Sequence, residues 1–175
     1  KRRGALYNHC LGIDLSKADP EDVIIHLDGD DLFYDSEVLD RVNKAYKDEN
    51  CWVTYGNYVP TDMTDSICAP TVDNNFREKS TWIWAHLRTF KKFLFDEIDR
   101  EKDFTDYKGE YYSSAADTAI MYPILEMAGK DRIVFIDEPN VIYNRETPFK
   151  DDKVDLGNQV RCVSEIRNKE AYGLL

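Results

Sequence analysis

Three carboxylates lie within four consecutive positions of this chain, at Asp28, Asp30 and Asp31. Carboxylates this close repel one another, so the cluster costs stability unless a cation binds among them or the groups take up protons. Hard divalent cations such as Mg²⁺ and Mn²⁺ take carboxylate oxygens, and proteins commonly hold them with one or two carboxylates together with substrate phosphates. The cluster therefore predicts a site for Mn²⁺ or Mg²⁺ that a phosphate-bearing ligand completes.

The residues before the cluster indicate where it lies in the fold. Residues 23–27 (VIIHL) are mostly apolar and β-branched and follow turn-forming residues, which predicts a short strand buried on both faces. The carboxylates would then lie at the carboxyl end of a strand, where open α/β sheets bind their ligands. A solvated turn that caps the next helix is the alternative for an acidic triplet of this kind.

The composition is that of an acidic globular protein. The chain has 175 residues, of which 42% are hydrophobic and 13% aromatic, and its net charge is −11. The length and the aromatic content predict one domain over residues 1–175. Because nucleic acids and anionic membranes are bound by basic surfaces, the charge argues against either partner.

Cysteine spacing and hydropathy indicate the cellular location to expect for the chain. The four cysteines form no C-x-x-C pair, which indicates neither a zinc knuckle nor a redox motif, and no apolar run reaches the roughly 20 residues of a membrane span. We therefore expect a cytoplasmic location, with any attachment to a membrane surface made by parts of the protein outside this chain. The sequence enters a helical pattern without an initiator methionine, so we expect a fragment of a longer protein.

Alternating helix and strand patterns predict an α/β fold. Apolar spacing predicts a first helix over residues 4–13 and a second helix capped by Asp35 or Ser36. A strand over residues 51–55 follows, so the strand–helix–strand order predicts a parallel pair with the 23–27 strand. The inner face of the second helix is predicted to consist of Val38, Leu39, Val42, Ala45 and Tyr46.

The second half of the chain contains one strong helix pattern. Residues 115–128 have apolar side chains at helical spacing, and Gly129 is a common type of helix stop. Residues 60–79 have no regular pattern, and long irregular stretches of this kind are often functional. Short strands are predicted over 133–136 and 141–143, separated by Glu138 and Pro139, and a helical tail over 158–171.

Five separated segments together resemble the family 2 glycosyltransferases. They are residues 4–13 (GALYNHCLGI), 22–33 (DVIIHLDGDDLF), 86–95 (HLRTFKKFLF), 113–129 (SSAADTAIMYPILEMAG) and 135–144 (FIDEPNVIYN). The resemblance implies a GT-A fold, in which a mixed, Rossmann-like sheet is flanked by helices. It also implies that a sugar is transferred, with inversion, from a nucleotide-diphosphate sugar donor to the hydroxyl of a saccharide or other acceptor, with Mn²⁺ or Mg²⁺ as cofactor.

One part of that family pattern is missing. Members normally begin with a strand–helix–strand unit that carries much of the nucleotide-base pocket, and no such unit precedes Lys1. We therefore expect either a trimmed chain or an atypical member.

The resemblance assigns roles to four carboxylates. Asp28 would lie nearest the donor ribose or the metal-bound waters, Asp30 would be the direct metal ligand, and Asp31 is a weaker candidate for either role. Inverting transfer also needs a base that deprotonates the acceptor hydroxyl, and Asp117 matches the family's carboxylate at the start of a later helix. Residues 114–117 (SAAD) equally fit a capping box at the helix N-terminus, and the two roles are compatible.

The resemblance also implies further contacts with the two substrates. The donor-side residues are Asn8, Arg3 and Arg145, with Lys1 and Arg2 beside Arg3. Arg145 would balance the charge of the departing diphosphate. The acceptor-side residues are His86, Arg88 and Trp84. Structural roles are the alternatives, since a lone histidine or tryptophan is often part of a core and a lone arginine often faces solvent.

Two other functions fit the acidic motif. A haloacid-dehalogenase-like phosphatase would use Asp28 as nucleophile and Asp30 as acid and base, but its pattern continues with glycine and then threonine or valine, where this chain has Asp31 and Leu32. A non-catalytic module that binds divalent cations or carbohydrate is the other alternative. An EF-hand does not fit, because Leu32 and Phe33 occupy positions that need an oxygen ligand and a glycine.

Overall fold

The computed structural model describes residues 3–48, 50–78, 81–148 and 151–175. Within these residues a five-stranded mixed sheet has the order β1-β4-β3-β5-β2. Strands β3 and β5 are parallel, and the other neighbouring pairs are antiparallel. The strands are β1 Val23–His26, β2 Leu32–Phe33, β3 Val53–Pro60, β4 Arg88–Lys91 and β5 Ile133–Tyr143.

Helices flank this sheet, which confirms the α/β class. They are α1 Ala5–Ser16, α2 Val38–Asp48, α3 Lys92–Asp96, α4 Arg100–Asp103, α5 Ala116–Ala128 and α6 Asp151–Arg167. The helices predicted over 4–13 and 115–128 are confirmed, the first with three more residues at its end. Helix α6 begins before the predicted tail and ends at Arg167, and its backbone is non-helical at Asp155. Among the described residues, no helix combines the length and the apolar character needed to cross a membrane.

Helix α5 forms the centre of the larger core. All its residues from Thr118 to Ala128 are buried, and they pack with the inner face of α1 and with α3. Helix α2 covers a second cluster through Val38, Val42 and Ala45. Leu39, predicted on that inner face, is 49% exposed. It lies about 100° round the helix from Val38, which places it beside the buried stripe rather than in it.

Strand β1 lies at an edge of the sheet, which differs from the prediction. It pairs antiparallel with β4, and its burial is partial, with Ile25 38% exposed. The predicted direct pairing with the strand after α2 is wrong, because β4 lies between β1 and β3. Both strands are antiparallel to β4, so they do run in the same direction. Local patterns indicate that a segment is a strand, but they do not indicate its neighbours.

Strand β5 is continuous through Pro139, where the sequence predicted a break. Its register with β3 shifts at Asn57, the residue that pairs with Pro139. Proline lacks an N–H group and is tolerated in a sheet where the ladder is irregular. The irregularity therefore lets one strand carry both predicted segments and end next to the acidic turn.

Gly56, beside this irregularity, has no room for a side chain. An added Cβ would collide with the side-chain amide of Asn140 and lie 2.6 Å from the carbonyl oxygen of Ile136. We expect Gly56→Ala to lower the free energy of unfolding by about 2 kcal/mol, as in other overpacked interiors. Urea denaturation measures this change. Gly12→Ala is the control, since its Cβ would meet nothing within 4 Å, and alanine in a helix is expected to stabilise by up to ~1 kcal/mol. Equal midpoints for the two variants would contradict the close approach at Gly56.

Candidate active site

A tight turn after β1 presents the acidic cluster. The N–H of Asp31 donates to the carbonyl oxygen of Asp28 at 3.1 Å, as in a β-turn. Gly29 and Asp30 occupy the corners of this turn and are exposed, whereas Asp31 is buried. The turn therefore directs one of the three carboxylates inward and leaves Asp30 toward solvent.

Asp28, Asp31 and His86 form a group that could hold a metal ion. One ligand atom from each residue lies within 4.8 Å of the other two. Asp28 and Asp31 come from the turn, and His86 comes from the segment before β4. Two carboxylates and an imidazole are a donor set suited to a divalent cation. The described part of the chain thus supports a metal site, with Asp31 and His86 in it.

Asp31 connects this group to the end of β5. Its Oδ1 accepts a hydrogen bond from the N–H of Asn144 at 2.9 Å, and its Oδ2 lies 3.8 Å from Nδ1 of His86. A buried carboxylate needs such partners, because its desolvation is costly. The C-terminal end of β5 therefore holds Asp31 in place.

His86 is enclosed by two tyrosines. Its ring lies 4.4 Å from that of Tyr143, tilted by 32°, and 5.6 Å from that of Tyr58, edge to face. Burial raises the pKa of Tyr58, and it raises the pKa of Tyr143 to about 12. Both hydroxyl groups are therefore uncharged at neutral pH. The packing restricts the orientation of the imidazole, which is the support that a metal ligand requires.

Arg88 connects the turn to helix α5. Its guanidinium Nη1 donates to Oδ2 of Asp117 at 3.3 Å, and Nη2 lies 4.0 Å from Oδ2 of Asp28. The arginine is only 3% exposed. The side chains of Asp28 and Asp117 are more open, at 40% and 35%. Two carboxylates that are far apart in the sequence thus lie on one guanidinium and face solvent.

Asp117 is the second residue of α5, so the helix begins one residue later than the predicted capping box requires. That box requires the helix to begin after Ser114, but the residue before the helix is Ala115, in the left-handed conformation (φ 60°) and without a side-chain cap. Asp117 instead accepts a hydrogen bond from the N–H of Thr118 at 2.8 Å. Its place in the first turn also suits a carboxylate, because the helix dipole favours negative charge there.

Two further histidines lie beside this site. The rings of His9 and His26 are 3.9 Å apart, and neither nitrogen of His26 has a hydrogen-bond partner in the described residues. Burial holds the pKa of His26 well below its ordinary value, and nearby His9 and Arg88 act in the same direction. Burial also lowers the pKa of His9, against the opposing effect of Asp28. Both imidazoles are therefore mainly uncharged at neutral pH.

The remaining donor-side residues lie in two parts of the chain, around α1 and just after β5. Arg145 follows Asn144, the partner of Asp31, and its Nε forms an ion pair with Asp62 at 2.9 Å. Asn8 is exposed on the groove between α1 and β1. Arg3 contacts the hydroxyl and the ring of Tyr7. Lys1 and Arg2 lie outside the described residues.

Trp84 has the surroundings of a core residue. It is fully buried, packs against Phe76, Trp82 and Tyr122, and donates from Nε1 to Oγ1 of Thr71 at 2.9 Å. Its ring faces are covered, so this geometry offers no support for stacking on an acceptor sugar. That role stays a prediction.

Sequence reasoning undervalued or missed several residues of the site. Asp31 was the weaker of the carboxylate candidates, and Tyr58, Tyr143, His9 and His26 were not singled out. One signal was available: His26 is a polar residue in an otherwise apolar strand pattern. The tyrosines carry no such signal, since their contacts with His86 depend on how β3 and β5 lie beside the segment before β4.

Comparison with known proteins supports the fold. No protein-family model and no curated protein matches the chain. Among solved structures, S. aureus TarS 1–349 is similar, with a TM-score of 0.54 and 16% identity over 92% of this chain. This chain covers 45% of the TarS chain, less than half its length. TarS has a GT-A fold, and the likeness shows a GT-A-like fold for this chain.

Proposed function

We propose that this chain is the GT-A core of a metal-dependent glycosyltransferase, which moves a sugar from a nucleotide-diphosphate sugar to an acceptor hydroxyl with inversion. The observation that carries the proposal is the position of Arg88 between Asp28 and Asp117. A carboxylate of the candidate metal site and a carboxylate suited to act as base thus lie at one solvent-facing place. The GT-A-like fold supports the same function.

Asp28, Asp31 and His86 would hold the metal ion. Mg²⁺ prefers oxygen ligands, whereas an imidazole nitrogen suits transition-metal ions, so Mn²⁺ fits this set better than Mg²⁺. When bound, the ion would neutralise charge on the donor diphosphate. Asp30 is the alternative metal ligand, which the family resemblance implies, and it is exposed at the corner of the turn.

Asp117 would act as the base. Its carboxylate takes the proton of the acceptor hydroxyl as the acceptor oxygen attacks the anomeric carbon of the sugar. The bond between that carbon and the diphosphate oxygen breaks at the same time, and its electron pair leaves with the nucleoside diphosphate. Attack from the side opposite the leaving group inverts the anomeric configuration. The one-third exposure of Asp117 allows an acceptor to reach it.

We propose that Arg145 contributes on the donor side. It lies one residue beyond the backbone N–H that binds Asp31, so the metal site and Arg145 share the end of β5. Its partner Asp62 belongs to the irregular stretch after β3. A cation at this place would stabilise the charge that develops on the diphosphate. Asn8 and Arg3 remain further donor candidates.

A nucleotide panel tests the proposed function. We expect at least one nucleoside diphosphate to bind measurably by calorimetry with Mn²⁺ and at least ~10-fold more weakly with EDTA. The matching nucleotide sugar should release nucleoside diphosphate when acceptors are added, and proton NMR of the product should show the inverted anomer. Release of inorganic phosphate with a phosphoaspartate at Asp28 would instead indicate the phosphatase. Metal or carbohydrate binding without any turnover would indicate the binding module.

A further inference from the structure

The guanidinium of Arg88 is a buried positive charge beside the site. It is nearly fully buried at the start of β4, and its Nε has no hydrogen-bond partner among the described residues. Its two terminal nitrogens point to different carboxylates, Asp117 at 3.3 Å and Asp28 at 4.0 Å. A buried arginine loses much of its hydration, and a fork of donors that meets two carboxylates offsets part of that cost.

This geometry does not match a residue that binds an acceptor. Both carboxylates beside Arg88 are many times more exposed than the arginine, so an acceptor would meet them first. Arg88 also completes the hydrogen bonding of Asp117. One oxygen of that carboxylate accepts from the N–H of Thr118, and the other accepts from Arg88. Held at both oxygens, the carboxylate has a defined plane and direction.

We infer that Arg88 is a positioning residue, which fixes the carboxylate of Asp117 relative to Asp28 and so aligns the base with the donor side of the site. This role replaces the acceptor-binding role expected from the sequence. The consequence for catalysis rests on the proposed function, whereas the structural link between Arg88 and Asp117 does not. Precise placement matters because small displacements of a catalytic group lower rates strongly.

A double-mutant cycle on stability tests the link without any turnover. Asp117→Asn is expected to lower the folding equilibrium constant about fivefold when Arg88 is present, and less than about twofold in an Arg88→Met background. Arg88→Lys provides a second background, in case the methionine variant does not fold. Lysine lacks the planar fork of donors by which arginine contacts two carboxylates at once. The coupling free energy between positions 88 and 117 should therefore also fall in the Arg88→Lys background. Effects that simply add in both backgrounds would overturn the inference.

Kinetics test the positioning role. With donor and acceptor, Arg88→Ala is expected to lower kcat about 30-fold, while the acceptor KM changes less than about threefold. Methylguanidinium at a non-denaturing concentration should fill the space that the side chain leaves. It should raise the kcat of the Arg88→Ala variant at least about tenfold. An increase in acceptor KM with kcat unchanged would show that Arg88 binds the acceptor and would overturn the inference.

Arg77 provides the matched control. It also forms a buried ion pair, with Glu126, but that pair lies between the irregular stretch and the far part of α5. Arg77→Ala should lower thermal stability and leave the transfer rate of the folded protein unchanged. Methylguanidinium should not change the transfer rate of this variant. If the unmodified protein transfers no sugar from any donor, the proposed function fails, and the stability cycle alone decides whether Arg88 holds Asp117.

Discussion

Replacing Asp117 by asparagine is expected to reduce sugar transfer at least ~100-fold, because the amide cannot take the proton of the acceptor hydroxyl. Asparagine keeps the size of the side chain and an oxygen that can accept from the N–H of Thr118, so the start of α5 should persist. Mn²⁺-dependent binding of the nucleoside diphosphate should stay within about threefold of the unmodified protein. Initial rates of nucleoside diphosphate release, together with calorimetry on the same preparation, measure both quantities.

Asp40 offers a control for the helix itself. It lies in the first turn of α2, a different helix from the one that carries Asp117, and it is exposed. Asp40→Asn removes a similar interaction with a helix dipole, worth roughly 0.3–1 kcal/mol, and should leave transfer unchanged. Turnover that survives Asp117→Asn would show that this carboxylate serves only the helix, and the proposed base would have to be abandoned.

Asp31→Asn is expected to weaken Mn²⁺-dependent nucleotide binding more than ~10-fold, about 1.4 kcal/mol or more. Asp31 is the buried carboxylate of the turn and faces His86, so its charge acts in a poorly hydrated place where a cation gains most from it. Asparagine still offers an oxygen to the N–H of Asn144, which should keep the turn folded. Titration of Mn²⁺ by electron paramagnetic resonance, with and without nucleotide, measures the affinity.

Asp30→Asn is the matched comparison. It removes one negative charge from the same turn, but from an exposed corner where water screens it, so we expect less than about a threefold change in affinity. The resemblance to the family 2 glycosyltransferases implied the opposite assignment, with Asp30 as the direct ligand. A larger loss for Asp30→Asn than for Asp31→Asn would restore that assignment and remove Asp31 and His86 from the metal site.

The helices were the part of the fold that the sequence predicted best. Helix α5 is mostly apolar and ends at Ala128, just before Gly129, and the spacing of its apolar side chains predicts a buried helix. Helix α1 was recognised in the same way. The helices and the turn-bounded apolar runs depend mainly on interactions between residues near in sequence, which a local pattern records. Even so, α5 begins at Ala116, one residue later than the sequence pattern predicts.

The arrangement of the strands was less open to prediction. Strand β4 comes from a mixed segment with both charged and aromatic residues, yet it lies between β1 and β3 and separates them. Pro139 indicated the end of a strand, but the shifted register opposite Asn57 accommodates it. In both cases the outcome depends on partners that are distant in the sequence. A local sequence pattern contains no information about which distant segments will pair.

The sequence by itself determined that this is an acidic α/β protein with clustered carboxylates after a strand and a further carboxylate at the start of a helix. Each of these features follows from residue types and short spacings. Only the tertiary structure decided which carboxylate of the turn faces inward, that His86 joins it, and that Arg88 lies between Asp28 and Asp117. Those choices arise where β4, β5 and α5 meet the turn, because burial and hydrogen bonding there select among side chains that look equivalent along the chain.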